Sequence, residues 1–315
     1  MAGNLALIGV ALLLLFGGAE FLVGGSASLA RRAGLSRLTV GLTVVAFGTS
    51  SPELVVSIKS ALSQQGDISI GNAVGSNVFN IGVILGCAAL LCPIPVHGQV
   101  IRIDAPIALG AALLLPLVLL DHTATRLEGA LLLAGLVAYA WLNVVLARRQ
   151  VKAGAGALGE APASQTGRHW AMDALLIAGG LVALVLGANL LVDQAVDLAR
   201  AFGVGEAVIG LTIVAAGTSM PELATSVVAA FRKQPDIAVG NAIGSNIFNI
   251  LGVLGLAALA SPLRAPGVST LDLATMIAFT VLVIPLLYTG RLLHRLEGVV
   301  LLLLYGAYII ARWPR

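Results

Sequence analysis

The chain has 315 residues, of which 58% are hydrophobic and only 10% charged, with a mean hydropathy of +1.00. Soluble domains carry roughly 25% charged residues, so water is not the main solvent of this chain. The net charge of +3 could suggest an anionic partner, but the basic residues lie between long apolar runs, and nothing points to nucleic acid.

Apolar runs close to the ~20 residues a helix needs to cross a ~30 Å hydrocarbon core recur along the whole chain. They predict an all-α integral membrane protein of ten transmembrane helices. The first, 4–30, lacks a basic segment before it and a small-residue cleavage site after it, so it reads as a retained helix rather than a removed signal peptide. Glu20 lies within it.

The second run, 38–62, is interrupted by Gly48-Thr49-Ser50-Ser51-Pro52-Glu53. Proline removes a backbone donor and glycine loosens the preceding turn, so this helix is expected to break there. A break facing lipid would leave carbonyls unpaired; it must face protein or a watery cavity, where those oxygens can bind cations. The third run, 68–92, carries Asn72, Ser76 and Asn80, spaced by four and therefore on one helix face. Cys87 and Cys92, the only cysteines, lie near its end without ligand-like neighbours and read as apolar filler.

Runs 103–121 and 128–147 complete a first half, residues 1–147. Residues 148–168 are polar, rich in Gly and Ala and without apolar periodicity, which marks a linker. The second half, 169–315, holds runs 170–200, 207–231, 236–261, 268–289 and 296–312. The long sixth run contains Asn189, Asp193 and Asp197, the two acids near a hydrated end. The four histidines, at 97, 122, 169 and 294, fall in loops or at segment ends and are given no role.

The halves repeat one another at an offset of 169 residues. Gly41–Gly86 and Gly210–Gly255 share 27 of 46 positions, and Pro116, Arg126-Leu127-Glu128-Gly129 and Tyr139 recur as Pro285, Arg295-Leu296-Glu297-Gly298 and Tyr308. Five segments per half is an odd number, so the second half would enter the membrane from the opposite side. Inverted repeats of this kind let one central site open to each side in turn.

Glu53 and its counterpart Glu222 fall near the middle of their segments, where an ionised carboxylate costs at least ~2.5 kcal/mol, and no Lys or Arg lies close enough in sequence to neutralise them. Travelling cations would offset that cost. Carboxylates, hydroxyls and amide oxygens suit hard ions such as calcium and sodium, whereas the Cys and His that soft metals prefer are missing from the motifs. Gly71, Gly75, Gly240 and Gly244 form small-xxx-small patterns and are expected to serve helix packing.

With the N-terminus outside, inner loops hold twelve basic residues and outer loops six, so the positive-inside rule places both termini outside and the linker in the cytoplasm.

The pairs GTSSPE with GNAVGSNVFN and GTSMPE with GNAIGSNIFN resemble the two alpha repeats of the calcium/cation antiporter superfamily, specifically its prokaryotic sodium/calcium exchangers. The resemblance covers the full chain. It implies a midplane site between the second, third, seventh and eighth helices that carries calcium and sodium, needs no cofactor and acts in the cell membrane, with a monomer as the functional unit. Glu53 and Glu222 would be the central carboxylates; Thr49, Ser50, Thr218, Ser219, Ser76 and Ser245 would supply hydroxyl or adjacent carbonyl oxygens; Ala46 and Ala215 would offer backbone carbonyls to sodium; Asn80 would complete the site. Asn249 stands where some relatives have aspartate, which removes a titratable charge and argues against potassium coupling. The resemblance also implies that the first and sixth helices slide as a gate.

Proton-coupled calcium or manganese antiport remains an alternative on the same residues. An intramembrane hydrolase using Ser50 or Ser219 lacks a histidine or lysine base in its motif, and a channel would make no use of two halves that alternate.

Overall fold

The computed structural model describes residues 2–152, 170–202 and 215–312. Those residues are almost wholly helical. In chain order the helices are α1 (Ala2–Ala33), α2 (Arg37–Thr49), α3 (Ser51–Leu62), α4 (Gly66–Leu91), α5 (Val100–Val118), α6 (Arg126–Lys152), α7 (Trp170–Ala201), the short α8 (Ala215–Gly217), α9 (Met220–Phe231), α10 (Pro235–Ala260), α11 (Thr270–Tyr288) and α12 (Arg295–Arg312).

Seven of these helices are long and apolar enough to span a bilayer, and α2 with α3, bent by 45° at their junction, makes an eighth. Of the remaining two expected spans, 207–231 falls on α8 and the shorter apolar α9, with 207–214 outside the described residues, and 296–312 falls on α12. Most of the expected linker likewise lies outside them; α6 itself continues to Lys152.

Four two-residue strands close the loops. β1 (Ile94–Pro95) pairs with β4 (Leu292–Leu293), and β2 (Thr123–Ala124) with β3 (Leu263–Arg264). In the first ladder Ile94 faces Leu293; in the second Leu263 faces Ala124. The 169-residue offset turns one pair into the other, so each half lends one strand to each ladder.

α4 and α10 form the centre, with most of α10 buried, and they carry irregular turns where the polar stripe ends. Asn80–Leu85 and Asn249–Leu254 are wound as π-helix, as are Gly41–Val45 in α2 and Val100–Asp104 in α5. Such widened turns interrupt the regular hydrogen-bond ladder and recur at functional sites.

α1 and α7, both 32 residues long, lie along each other. Their contact depends on glycine: a Cβ placed on Gly18 would fall 2.8 Å from the Gly180 carbonyl oxygen, and one on Gly180 would fall 2.7 Å from that of Gly18. Without a hydrophobic drive between helices in lipid, close backbone approach of this kind is what holds a pair together.

Candidate functional site

The proline of each motif does not sit inside a helix. α3 starts at Ser51 and α9 at Met220, so Pro52 and Pro221 occupy a first turn, where the missing N–H would have had no partner. The chain bends one residue earlier, at Ser50 and Ser219, whose φ/ψ of −80°/9° and −89°/8° leave the helical region. Glu53 and Glu222 therefore fall in the first turn of a helix, near its electropositive end, and both are completely buried.

Each glutamate is held by the opposite half. Ser50 Oγ donates to Glu222 Oε1 at 2.7 Å and Ser219 Oγ donates to Glu53 Oε1 at 2.9 Å. The same hydroxyls meet Ser245 at 3.0 Å and Ser76 at 3.1 Å. Each carboxylate therefore lies against the bend that precedes the other acid in sequence. The expected hydroxyl ligands and both acids thus converge in one place.

Thr49 Oγ1 donates to Asn241 Oδ1 at 3.0 Å, and Thr218 Oγ1 to Asn72 Oδ1 at 3.3 Å. Asn72 and Asn241 in turn donate to the Glu53 and Glu222 carbonyls and to Ser57 and Ser226, tying α3 to α4 and α9 to α10. The Ala46 carbonyl accepts from the Ser50 amide at 3.1 Å. Ala215 heads α8, one residue past the undescribed stretch.

The structure adds two residues that the sequence reading passed over. Asn77 and Asn246 donate to each other's main-chain carbonyls, at 3.2 and 3.4 Å, and their side-chain oxygens receive the amides of Asn249 and Asn80 at 3.1 and 3.0 Å. With their nitrogens so engaged, Asn80 and Asn249 keep their Oδ1 atoms free. The available signal was recurrence: both residues are polar, lie within a long apolar segment and stand at the same position of the two repeats.

Four buried oxygens of the cluster have no hydrogen-bond partner: Glu53 Oε2, Glu222 Oε2, Asn80 Oδ1 and Asn249 Oδ1. All four are acceptors. Buried polar groups are nearly always paired, so a set of unpaired oxygens around two carboxylates is the donor set of a hard cation.

Access differs between the two sides. Asn72 and Thr218 are partly exposed and line a cavity of about 390 Å3, shared with Asp67, Asp272, Tyr308 and Arg312. Their counterparts Asn241 and Thr49 are fully buried. Gly240 and Gly244 pack against the Leu38 and Leu42 carbonyls as expected, but no described residue lies within 4 Å of a Cβ placed on Gly71 or Gly75, which face the cavity instead.

Of the weaker polar candidates, Glu20 forms an ion pair with Arg232 that joins α1 to the end of α9, while Asp193 and Asp197 are exposed. His97, expected to be idle, pairs with Asp236 at 3.2 Å, and this hydrogen bond raises its pKa from the ordinary histidine value.

Comparison with known proteins identifies the family of the chain. Residues 3–145 and 172–313 match the sodium/calcium exchanger protein family. The inner membrane protein YrbG of Escherichia coli (strain K12) is 39% identical over 82% of this chain and 80% of its own. The sodium/calcium exchanger MaX1 of Methanosarcina acetivorans is 31% identical over 98% and 97%. A structure of the sodium-calcium exchanger NCX_Mj soaked with sodium and calcium superposes with a TM-score of 0.83, at 30% identity and 99% coverage of both chains. The chain belongs to the sodium/calcium exchanger family: it is a multi-pass membrane antiporter, not an enzyme.

Proposed function

We propose that the protein exchanges sodium for calcium by alternating access at the Glu53–Glu222 cluster, using ten spans arranged as two inverted five-helix repeats. Residues 1–147 and 169–315 form the repeats, and residues 148–168 form a cytoplasmic linker, with both termini outside. The observation that carries the reading is the reciprocal bonding of the two acids: each is completely buried and gripped by a serine of the other half, with one oxygen left over. Two carboxylates neutralise one calcium or two sodium ions. A third sodium would leave one positive charge in excess, and the exchange would then draw ~2.3 kcal/mol per 100 mV of membrane potential.

Within the cluster, Glu53 and Glu222 supply the charge, and Asn80 and Asn249 the neutral oxygens. Ser50, Ser219, Ser76 and Ser245 offer hydroxyls, Thr49 and Thr218 shape the walls, and Ala46 and Ala215 present carbonyls. Competition for these ligands couples the ions, because an empty doubly charged site is too costly to reorient in lipid. α7 is the gating element best placed to sense them: a Cβ on Gly48 would fall 2.8 Å from Leu181, and Gly217 abuts Val192, about 16 Å further along the same helix.

The test is calcium uptake by purified protein in liposomes. Trapped sodium should drive uptake and trapped choline should not; equal uptake with both contradicts sodium coupling and favours protons.

A further inference from the structure

The two halves also resemble one another outside the central site, with one substitution that changes the charge. Beside the cavity, Asp272 at the start of α11 accepts hydrogen bonds from Tyr308 at 2.9 Å and from Arg312 at 3.0 Å. Its charge is neutralised by the guanidinium. At the opposite, linker-facing end, Asp104 at the start of α5 accepts from Tyr139 at 3.0 Å. Tyr139 is the repeat counterpart of Tyr308, and Asp104 lies one position from strict correspondence with Asp272.

The counterpart of Arg312 is Asn143. It is completely buried, donates to the Tyr139 carbonyl at 3.2 Å and accepts from Gln99 at 3.0 Å. Asp104 is equally buried, and its Oδ2 has no hydrogen-bond partner. Among the described residues the groups facing it are Tyr139 from α6 and Gln99 from its own segment, no Lys, Arg or His forms an ion pair with it, and Arg102, two residues away, is exposed. A carboxylate buried in a membrane protein without a counter-charge is strongly disfavoured as an ion.

We propose that Asp104, with Tyr139, Gln99 and Asn143, forms a second cation site on the linker side, occupied by a proton that stands where the other half places the Arg312 guanidinium. One free carboxylate oxygen is too small a donor set for a metal ion, which takes six or more oxygens when it is calcium, but it suffices for a proton. The consequence for transport rests on the alternating-access reading: when the linker side opens, the Asp104 pocket becomes the counterpart of the present cavity and fills with water. Asp104 can then release its proton from Oδ2 to that water, and must recover one before the side closes. Exchange would thus sense pH on the linker side through a residue that touches neither transported ion.

Infrared spectroscopy of the full chain in lipid tests the site without reference to transport. The difference spectrum between wild type and Asp104→Asn at neutral pH should contain the carbonyl stretch of a protonated carboxyl. Asn143→Arg, which supplies the guanidinium, should lose the same band, and exchanging sodium for choline should leave it in place. Wild-type and Asp104→Asn spectra that coincide in this region overturn the proposal, as does a band that appears only when sodium is removed. If Asn143→Arg does not fold, the near-isosteric Asp104→Asn still decides the matter. In liposomes, Asp104→Asn should keep sodium-driven calcium uptake but lose its dependence on linker-side pH; an unchanged pH profile contradicts the transport role. Failure of sodium coupling would leave the infrared result standing, so the two readings fail separately.

Discussion

The cavity face and the linker face carry matching motifs, yet Asn72 and Thr218 on the first are partly exposed while Asn241 and Thr49 on the second are fully buried. The hydrogen bonds inside the motifs match almost bond for bond, so the motif does not decide which face is open. Its cover does. On the linker face α2 closes over Gly240 and Gly244, and α1 is fastened to α9 by Glu20 and Arg232. The positions that correspond to this ion pair are Asn189 and Ser63, which cannot form one. Access is therefore a property of how long helices lie across a symmetrical centre, and unequal fastenings bias it.

The largest effect should come from treating the two halves alike at the centre. Glu53→Gln and Glu222→Gln should each reduce calcium uptake to background with folding intact by circular dichroism. Robust uptake by either variant would mean that the halves are not equivalent.

Next in size are the residues that aim the amide oxygens. Asn77→Ala and Asn246→Ala should each weaken apparent calcium affinity by about 10- to 100-fold, the usual cost of losing a partner that orients a metal ligand. Uptake measured against calcium concentration checks this, and an unchanged half-saturation point would remove both residues from the site.

Glu20→Gln or Arg232→Gln should loosen only the linker face. With Cys87 and Cys92 replaced by serine, thiol labelling of Asn241→Cys from that face should rise on the order of twofold to fivefold, as suits a partly exposed ion pair. The exchange Glu20→Arg with Arg232→Glu should restore protection.

The smallest effect concerns His97 and Asp236, also on the linker face. Because the pair raises the His97 pKa, its stabilisation is present at acidic pH and is lost as pH rises through that raised value. His97→Asn should lower the stability slightly in acid, by no more than about 0.5 kcal/mol for so exposed a pair, seen as a small drop in melting temperature, and match the wild type in alkali.

Much of this was legible in the sequence, for physical reasons. Apolar runs reveal spans because lipid demands them, and Gly-Thr-Ser followed by proline announces the bend between α2 and α3. Asn72, Ser76 and Asn80 were legible because a spacing of four stacks residues on one face. Asn77 was not, because it lies about 100° around the helix from Ser76 and its partners belong to the other repeat. Glu20 and Arg232 are 212 residues apart, and no local pattern joins them. Gly71 and Gly75 share a packing motif with Gly240 and Gly244 but line a cavity, since sequence fixes the small surface and not what lies over it.

The central claim is that two acids from two halves make one site, and equilibrium dialysis with radioactive calcium on detergent-purified protein measures this directly. The account predicts one calcium bound per chain, displaced by sodium, and none bound by either Glu53→Gln or Glu222→Gln alone. Two calcium ions per chain, or undiminished binding in either single variant, would show two independent sites and contradict it.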